Sequence, residues 1–292
     1  MPAWALAADL ADLEQNPALR EELNFTGRAE ALDTLDFHII EQLASLPPAP
    51  GSSALQRRAE LLKQQLEAID TGLFERLRAG IHAGQYRGAA FRAMVETYVS
   101  RPPGARPQAG YDLLDVFTNG LFPLPVLPRE TAAREPEMVH YQKTPARVIF
   151  ELAKRAAFNH NDVFVDVGAG LGHVALLVHL LSGLPAQGIE IEPVYCALAT
   201  GWATDLGLPQ VTFMEADARY ANYACGTVFF LYTPFRGHML VQVLERLRTE
   251  ARRRPIRLFT YGPCTLEVAR QPWLHCADAA KIQADQLVEF KS

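Results

Sequence analysis

Cysteine is scarce in this 292-residue chain, and Cys196, Cys225, Cys264 and Cys276 never approach the paired spacing that chelates zinc or runs dithiol chemistry. They read as reduced thiols in or near a core. No apolar run nears the roughly 20 residues needed to cross a bilayer. Met1 to Leu10 carries Asp9 with no preceding basic residue, the wrong pattern for a secretory signal. The expectation is a cytoplasmic protein with no membrane partner. Positive charge is not in excess either: 28 Lys and Arg stand against 33 Asp and Glu, a net −5, so no global field draws in nucleic acid. Internal repeats and low-complexity tracts are absent. What is present, 49% hydrophobic and 21% charged residues, is the balance of a chain that folds.

The apolar pattern divides the chain. Leu55, Leu62, Leu66, Ile69, Leu73, Leu77 and Ile81 recur at steps of three, four and seven, one stripe of a helix. The clusters Pro47-Pro48-Ala49-Pro50-Gly51 and Arg101-Pro102-Pro103-Gly104 interrupt the helical region, because Pro lacks the amide a helix interior needs. Residues 1–110 are therefore expected to form an all-helical N-terminal domain. Residues 111–140, with Phe117, Leu121, Phe122 and Leu124, are too apolar for a solvated linker and are expected to pack on the second half of the chain. From 141 to 292 helix and strand signals alternate, as in a parallel α/β sheet. Thr144 and Pro145 suit a helix start. Candidate strands are Val163–Val167, Gly188–Ile191, Val211–Phe213, Thr227–Leu231 and Arg257–Tyr261.

The segment Val163-Phe-Val-Asp166-Val-Gly168-Ala-Gly170-Leu-Gly172-His173 runs an apolar strand into a glycine-rich turn and then a helix. Backbone amides at such a helix start face a ligand with no side chains in the way. A dinucleotide fingerprint is Gly-x-Gly-x-x-Gly, whereas here the third glycine comes one place early, and Asp166 would sit near a pyrophosphate. Both points disfavour NAD.

Asp166-x-Gly168-x-Gly170-x-Gly172 resembles motif I of class I S-adenosylmethionine-dependent methyltransferases, and three later segments match in order: Gly188-Ile-Glu190, Phe213-Met-Glu-Ala-Asp217-Ala218, and Phe229-Phe-Leu-Tyr232-Thr-Pro234. The resemblance implies a Rossmann-like α/β domain with a seven-stranded, mostly parallel sheet and S-adenosyl-L-methionine as cofactor. Asp166 and the turn Gly168, Gly170, Gly172 would then hold its amino-acid end. Glu190, two places after the glycine, would accept from the ribose hydroxyls. Asp217 would read the adenine amino group, with Met214 and Ala218 against the ring. Tyr141-Gln-Lys-Thr144-Pro, Asp162 to Asp166 and Thr227 to Leu231 are similar to the non-SET histone-lysine methyltransferase fold and its bacterial relatives, which puts Tyr141 and Thr144 beside the cofactor. That family carries Asn where this chain has Tyr232.

Methyl transfer from a sulfonium needs alignment and close approach more than chemistry from the protein, and an amine nucleophile must also lose its proton. Tyr232 and Tyr141 are the candidate catalytic residues, with His173 and His140 behind them. The expected activity is methylation of a protein lysine or another amine. A small-molecule acceptor and an inactive cofactor-binding partner protein are the alternatives, and no metal is called for.

Overall fold

The computed structural model describes residues 3–45, 51–99, 112–124, 126–277 and 282–292, so most of both Pro-rich interruptions lies outside the described residues. The chain divides into two compact units, Met1–Gly80 with Arg92–Pro123, and Ile81–Phe91 with Leu124–Ser292.

The first unit is helical. Its longest element falls within the helix Ser52–His82, and Leu55, Leu62, Leu66, Leu73 and Leu77 of the predicted stripe are buried; Ile81, also buried, is the first residue of the second unit. Within this unit Leu62 and Leu66 share a core with Leu6, Leu10, Leu35 and Ile39. Helix Leu113–Leu121 also belongs here: Phe117 is fully buried, with its ring 5.3 Å from Phe25 and 5.4 Å from Phe74. The stretch 111–140, expected to pack as a whole on the second half, is thus divided between the units. Its apolar residues have the same character in either setting, so burial cost alone does not say where they go. The guanidinium of Arg28 is buried and donates to Asp70 at 2.7 Å and to the carbonyls of Glu21 and Glu22, which satisfies a charge that would otherwise be costly.

The second unit is built on one sheet of strands β1 Phe164–Val167, β2 Ala186–Glu190, β3 Val211–Glu215, β4 Val228–Tyr232, β5 Arg257–Tyr261 and β6 Val288–Lys291. Their order is β3-β2-β1-β4-β5-β6, with all neighbours parallel except β6, which runs antiparallel to β5. This is a Rossmann-like, mostly parallel sheet, but among the described residues it has six strands rather than the expected seven. Outside β6, among the described residues, the pairing shrinks to one bridge, His275 with Lys291, closed by two hydrogen bonds of 2.8 and 2.9 Å.

Strand order reverses between β1 and β4, whose neighbours β2 and β5 lie to opposite sides. In open parallel sheets a crevice opens at the carboxyl ends of the strands at such a point, and ligands bind there. Helix His173–Ser182, which follows β1, is buried from His173 to Leu181 rather than along one stripe; it packs on β1, on β2 and on helix Ala146–Arg155.

Candidate functional site

β1 ends in a turn that side chains cannot enter. Gly168, Gly170 and Gly172 have φ of 79°, 53° and 78°, where an L side chain is strained. An added Cβ at Gly168 would lie 2.2 Å from Cβ of Pro234, and one at Gly170 would lie 2.5 Å from the Tyr141 ring. The turn is fixed by the amides of Gly168 and Ala169, both donating to the carbonyl of Ile189 at 2.9 Å.

Two carboxylates stand at the strand ends. Asp166 is buried on β1, and its Oδ2 has no hydrogen-bond partner. Burial, reinforced by the neighbouring Glu190 charge, pushes its pKa up to about 8. Glu190, at the end of β2, accepts from the amides of Gly170 at 2.7 Å, Ile191 at 2.8 Å and Glu192 at 2.9 Å. Burial outweighs these donors, so its pKa is raised as well. Buried polar atoms without partners are uncommon in folded proteins. Here the unsatisfied atom belongs to an acid whose residue borders a cavity, a place for a cationic or hydrogen-bond-donating ligand group.

The chain from Glu130 to His140 forms a strap along that cavity. Glu192, buried at the N-cap of helix Pro193–Asp205, holds one end by accepting from Thr131 N at 2.8 Å, Thr131 Oγ1 at 2.7 Å and Ala132 N at 2.8 Å. Glu137 holds the other by accepting from the amides of His238 and Met239, at 3.0 and 2.7 Å, at the start of helix Gly237–Ala251. An antiparallel bridge between Met138 and Phe235 ties the strap to the end of β4. Tyr141 follows, its ring 5.4 Å from that of Tyr195. Burial raises the phenol pKa of both tyrosines.

Past β3, Asp217 accepts from the amide of Arg219 at 2.8 Å and from its guanidinium at 2.6 Å, and Arg219 also reaches Glu135 on the strap. These donors hold the Asp217 carboxyl below its ordinary range. At the end of β4 the Tyr232 ring is 5.2 Å from that of Tyr261, whose hydroxyl accepts from Arg147 at 3.2 Å. Burial raises the pKa of Tyr232, which stays a neutral phenol. Thr233 is held at φ 41°; its Oγ1 donates to the Tyr261 carbonyl at 3.3 Å and accepts from Cys264 N at 3.2 Å. A non-glycine residue in that region is strained and persists only where its surroundings over-determine it.

One cavity, with an empty volume of about 1110 Å³ including its open mouth, is bordered by Tyr141, Thr144, Asp166, Gly168, Gly170, Glu190, Asp217, Ala218 and Tyr232. Gly172 is not on it: it N-caps helix His173–Ser182, where an added Cβ would meet Phe213 and Ala199 at 2.5 and 2.7 Å, so its glycine serves packing. Met214 is also off the cavity wall, whereas Ala218 is on it. The helix expected near Thr144 is Ala146–Arg155; its N-cap is Pro145, which offers no side-chain hydrogen bond. Thr144 thus precedes the cap, because the first helical bonds run to the Pro145 carbonyl. His173 borders the cavity with its pKa pushed down to about 3 by burial, then by Lys143, which leaves it a weak base. Of the cysteines, Cys225 is exposed, against the expectation of core or near-core thiols, because it follows β3 in the turn before β4. The strap and its anchor Glu192 were not legible in the sequence.

No family model matches this sequence, and no curated protein matches it. Similar folds occur among solved structures. An RNA methyltransferase from Salinibacter ruber in complex with S-adenosyl-L-homocysteine is 20% identical, with a TM-score of 0.38, over 51% of this chain and 92% of its own. An S-adenosylmethionine-dependent methyltransferase from Geobacter sulfurreducens in complex with S-adenosyl-L-homocysteine is 21% identical, TM-score 0.33, over 44% of this chain and 54% of its own. One from Thiobacillus denitrificans, with the same ligand, is 17% identical, TM-score 0.34, over 43% and 51%. This chain therefore spans about half the length of the latter two.

Proposed function

We propose that this chain is an S-adenosylmethionine-dependent methyltransferase acting on an amine. The observation that carries the reading is Asp166: a buried acid with one oxygen lacking a partner, whose residue borders a glycine-lined cavity at the point where the strand order reverses. An ammonium suits such an oxygen, and a pyrophosphate beside two carboxylates does not. When bound, the cofactor would supply an electrophilic methyl group. Asp166 would hold its ammonium, the amides of the Gly168 to Gly170 turn would approach its carboxylate, and Glu190 would face its ribose. Asp217 and Ala218 would border its adenine, with the Asp217 carboxylate kept in place by Arg219. Tyr141 would cover the turn, as its ring lies over Gly170. Tyr232 would orient the acceptor as a neutral hydroxyl at the edge of the cavity.

Calorimetric titration with S-adenosyl-L-homocysteine tests the cofactor assignment, and a protein that does not bind it refutes the reading. The loop at Tyr232 favours a second reading, a cofactor-binding partner protein without turnover, since the Tyr232 hydroxyl replaces the amide carbonyl expected there. Binding without transfer of labelled methyl to any acceptor in a cell lysate would support that alternative.

A further inference from the structure

A second cavity adjoins the first and shares with it Val139, Gln142, Tyr232 and Thr233. Its inner wall is apolar: Leu240 and Leu244 from helix Gly237–Ala251, Tyr261 from the end of β5, and Cys264 from the short helix Cys264–Val268 are all buried. Its charged residues are exposed. Arg236 and Asp285 are exposed, and the exposed Glu267 is paired to Arg270 at 2.6 Å. Among the described residues the inner wall therefore offers no carboxylate to hold an ammonium, while it does offer alkyl and aromatic surface. Small-molecule sites are typically concave and mostly apolar, with a few polar groups that fix orientation. Here the polar residues at the shared partition are Gln142, Tyr232 and the strained Thr233, whose Oγ1 is already bonded to Tyr261 and Cys264.

We infer that the second cavity seats the methyl acceptor, and that the acceptor is a small amine with an apolar alkyl or aryl body rather than a lysine side chain of a protein. This rests on the proposed methyltransferase reading. The amine would lie at the Tyr232–Thr233 partition, and its hydrocarbon would bury against Leu240, Leu244 and Tyr261.

Two probes that present the same primary amine on different bodies separate the classes: 4-phenylbutylamine, and Nα-acetyl-lysine amide, whose body is polar. Each is titrated calorimetrically into full-length protein saturated with S-adenosyl-L-homocysteine. The expected result is at least tenfold tighter binding of 4-phenylbutylamine. Val241, exposed and bordering only the second cavity, is the position to vary. Val241→Asp should weaken 4-phenylbutylamine at least fivefold and leave S-adenosyl-L-homocysteine binding within twofold of wild type, which also reports that the variant is folded. Equal or tighter binding of the lysine derivative, no binding of either probe, or indifference to Val241→Asp would each overturn the inference. Since binding of S-adenosyl-L-homocysteine is measured first, failure of the acceptor assignment is distinct from failure of the cofactor assignment.

Discussion

Asp166→Asn isolates the group on which the cofactor assignment depends. The substitution keeps the shape of the side chain and removes its ionisation. In the folded protein Asp166 holds its proton up to about pH 8, whereas in the unfolded chain it releases it near the ordinary value of 3.8. Between these values the folded state binds more protons, so stability falls as pH rises. The contribution is fully present below 3.8 and is lost as pH climbs through 8, a span on the order of 5 kcal/mol at 1.36 kcal/mol per pH unit. The wild-type melting temperature without cofactor should therefore drop between about pH 4 and 8, and that of Asp166→Asn should drop less. A bound ammonium restores the ionised form. Cofactor binding at pH 7 should accordingly release close to one proton, read from calorimetry in buffers of different ionisation enthalpy. A hydrogen bond to a charged group is worth about 1.5–3 kcal/mol, so Asp166→Asn should weaken S-adenosyl-L-homocysteine roughly tenfold to a hundredfold and abolish the proton release. Unchanged affinity together with superimposable pH–melting curves would overturn the role given to this carboxyl.

Gly170→Ala should lower both the melting temperature and cofactor affinity, since it adds backbone strain of about 1–3 kcal/mol to a contact of 2.5 Å with the Tyr141 ring; thermal denaturation and titration measure the two effects. Glu192→Ala leaves Thr131 and Ala132 without their acceptor, and should cost about 1–3 kcal/mol and speed hydrogen exchange at those two amides. Asp217→Ala should weaken cofactor binding less than Asp166→Asn does, because its carboxylate is already satisfied by Arg219. His173 should remain neutral by NMR from pH 5 to 8; its depressed pKa, about 3 against 6.5, means that its contribution to stability is present above 6.5 and is lost as pH falls toward 3.

What could be read from the sequence was local. The strand β1, the glycine turn, Asp166 and Glu190 lie within a few residues of the features that define them, and a run such as Asp-x-Gly-x-Gly is dictated by backbone geometry that its own residues must satisfy. The same holds for the stripe of helix Ser52–His82, whose period is visible without knowing what covers it. Strand β6 is not among the candidate strands although Val288 and Phe290 alternate with Glu289 and Lys291.

The remainder depended on contacts between distant segments. Folding joins Glu192 to Thr131, Arg219 to Glu135 and Met138 to Phe235, and so makes a strap of residues without a period of their own. It also assigns helix Leu113–Leu121 to the first unit, where Phe117 meets Phe25 and Phe74. The apolar second cavity is assembled from residues 139–142, 232–244, 261–271 and 284–285, and no one of these segments carries its pattern. The order of residues alone marks where the chain turns tightly and where charge stands at the strand ends, because bond geometry and burial act over a few residues. Which of those charges are satisfied depends on partners brought from elsewhere in the fold: Asp217 by Arg219, Glu190 by three amides, and Asp166 Oδ2 by nothing.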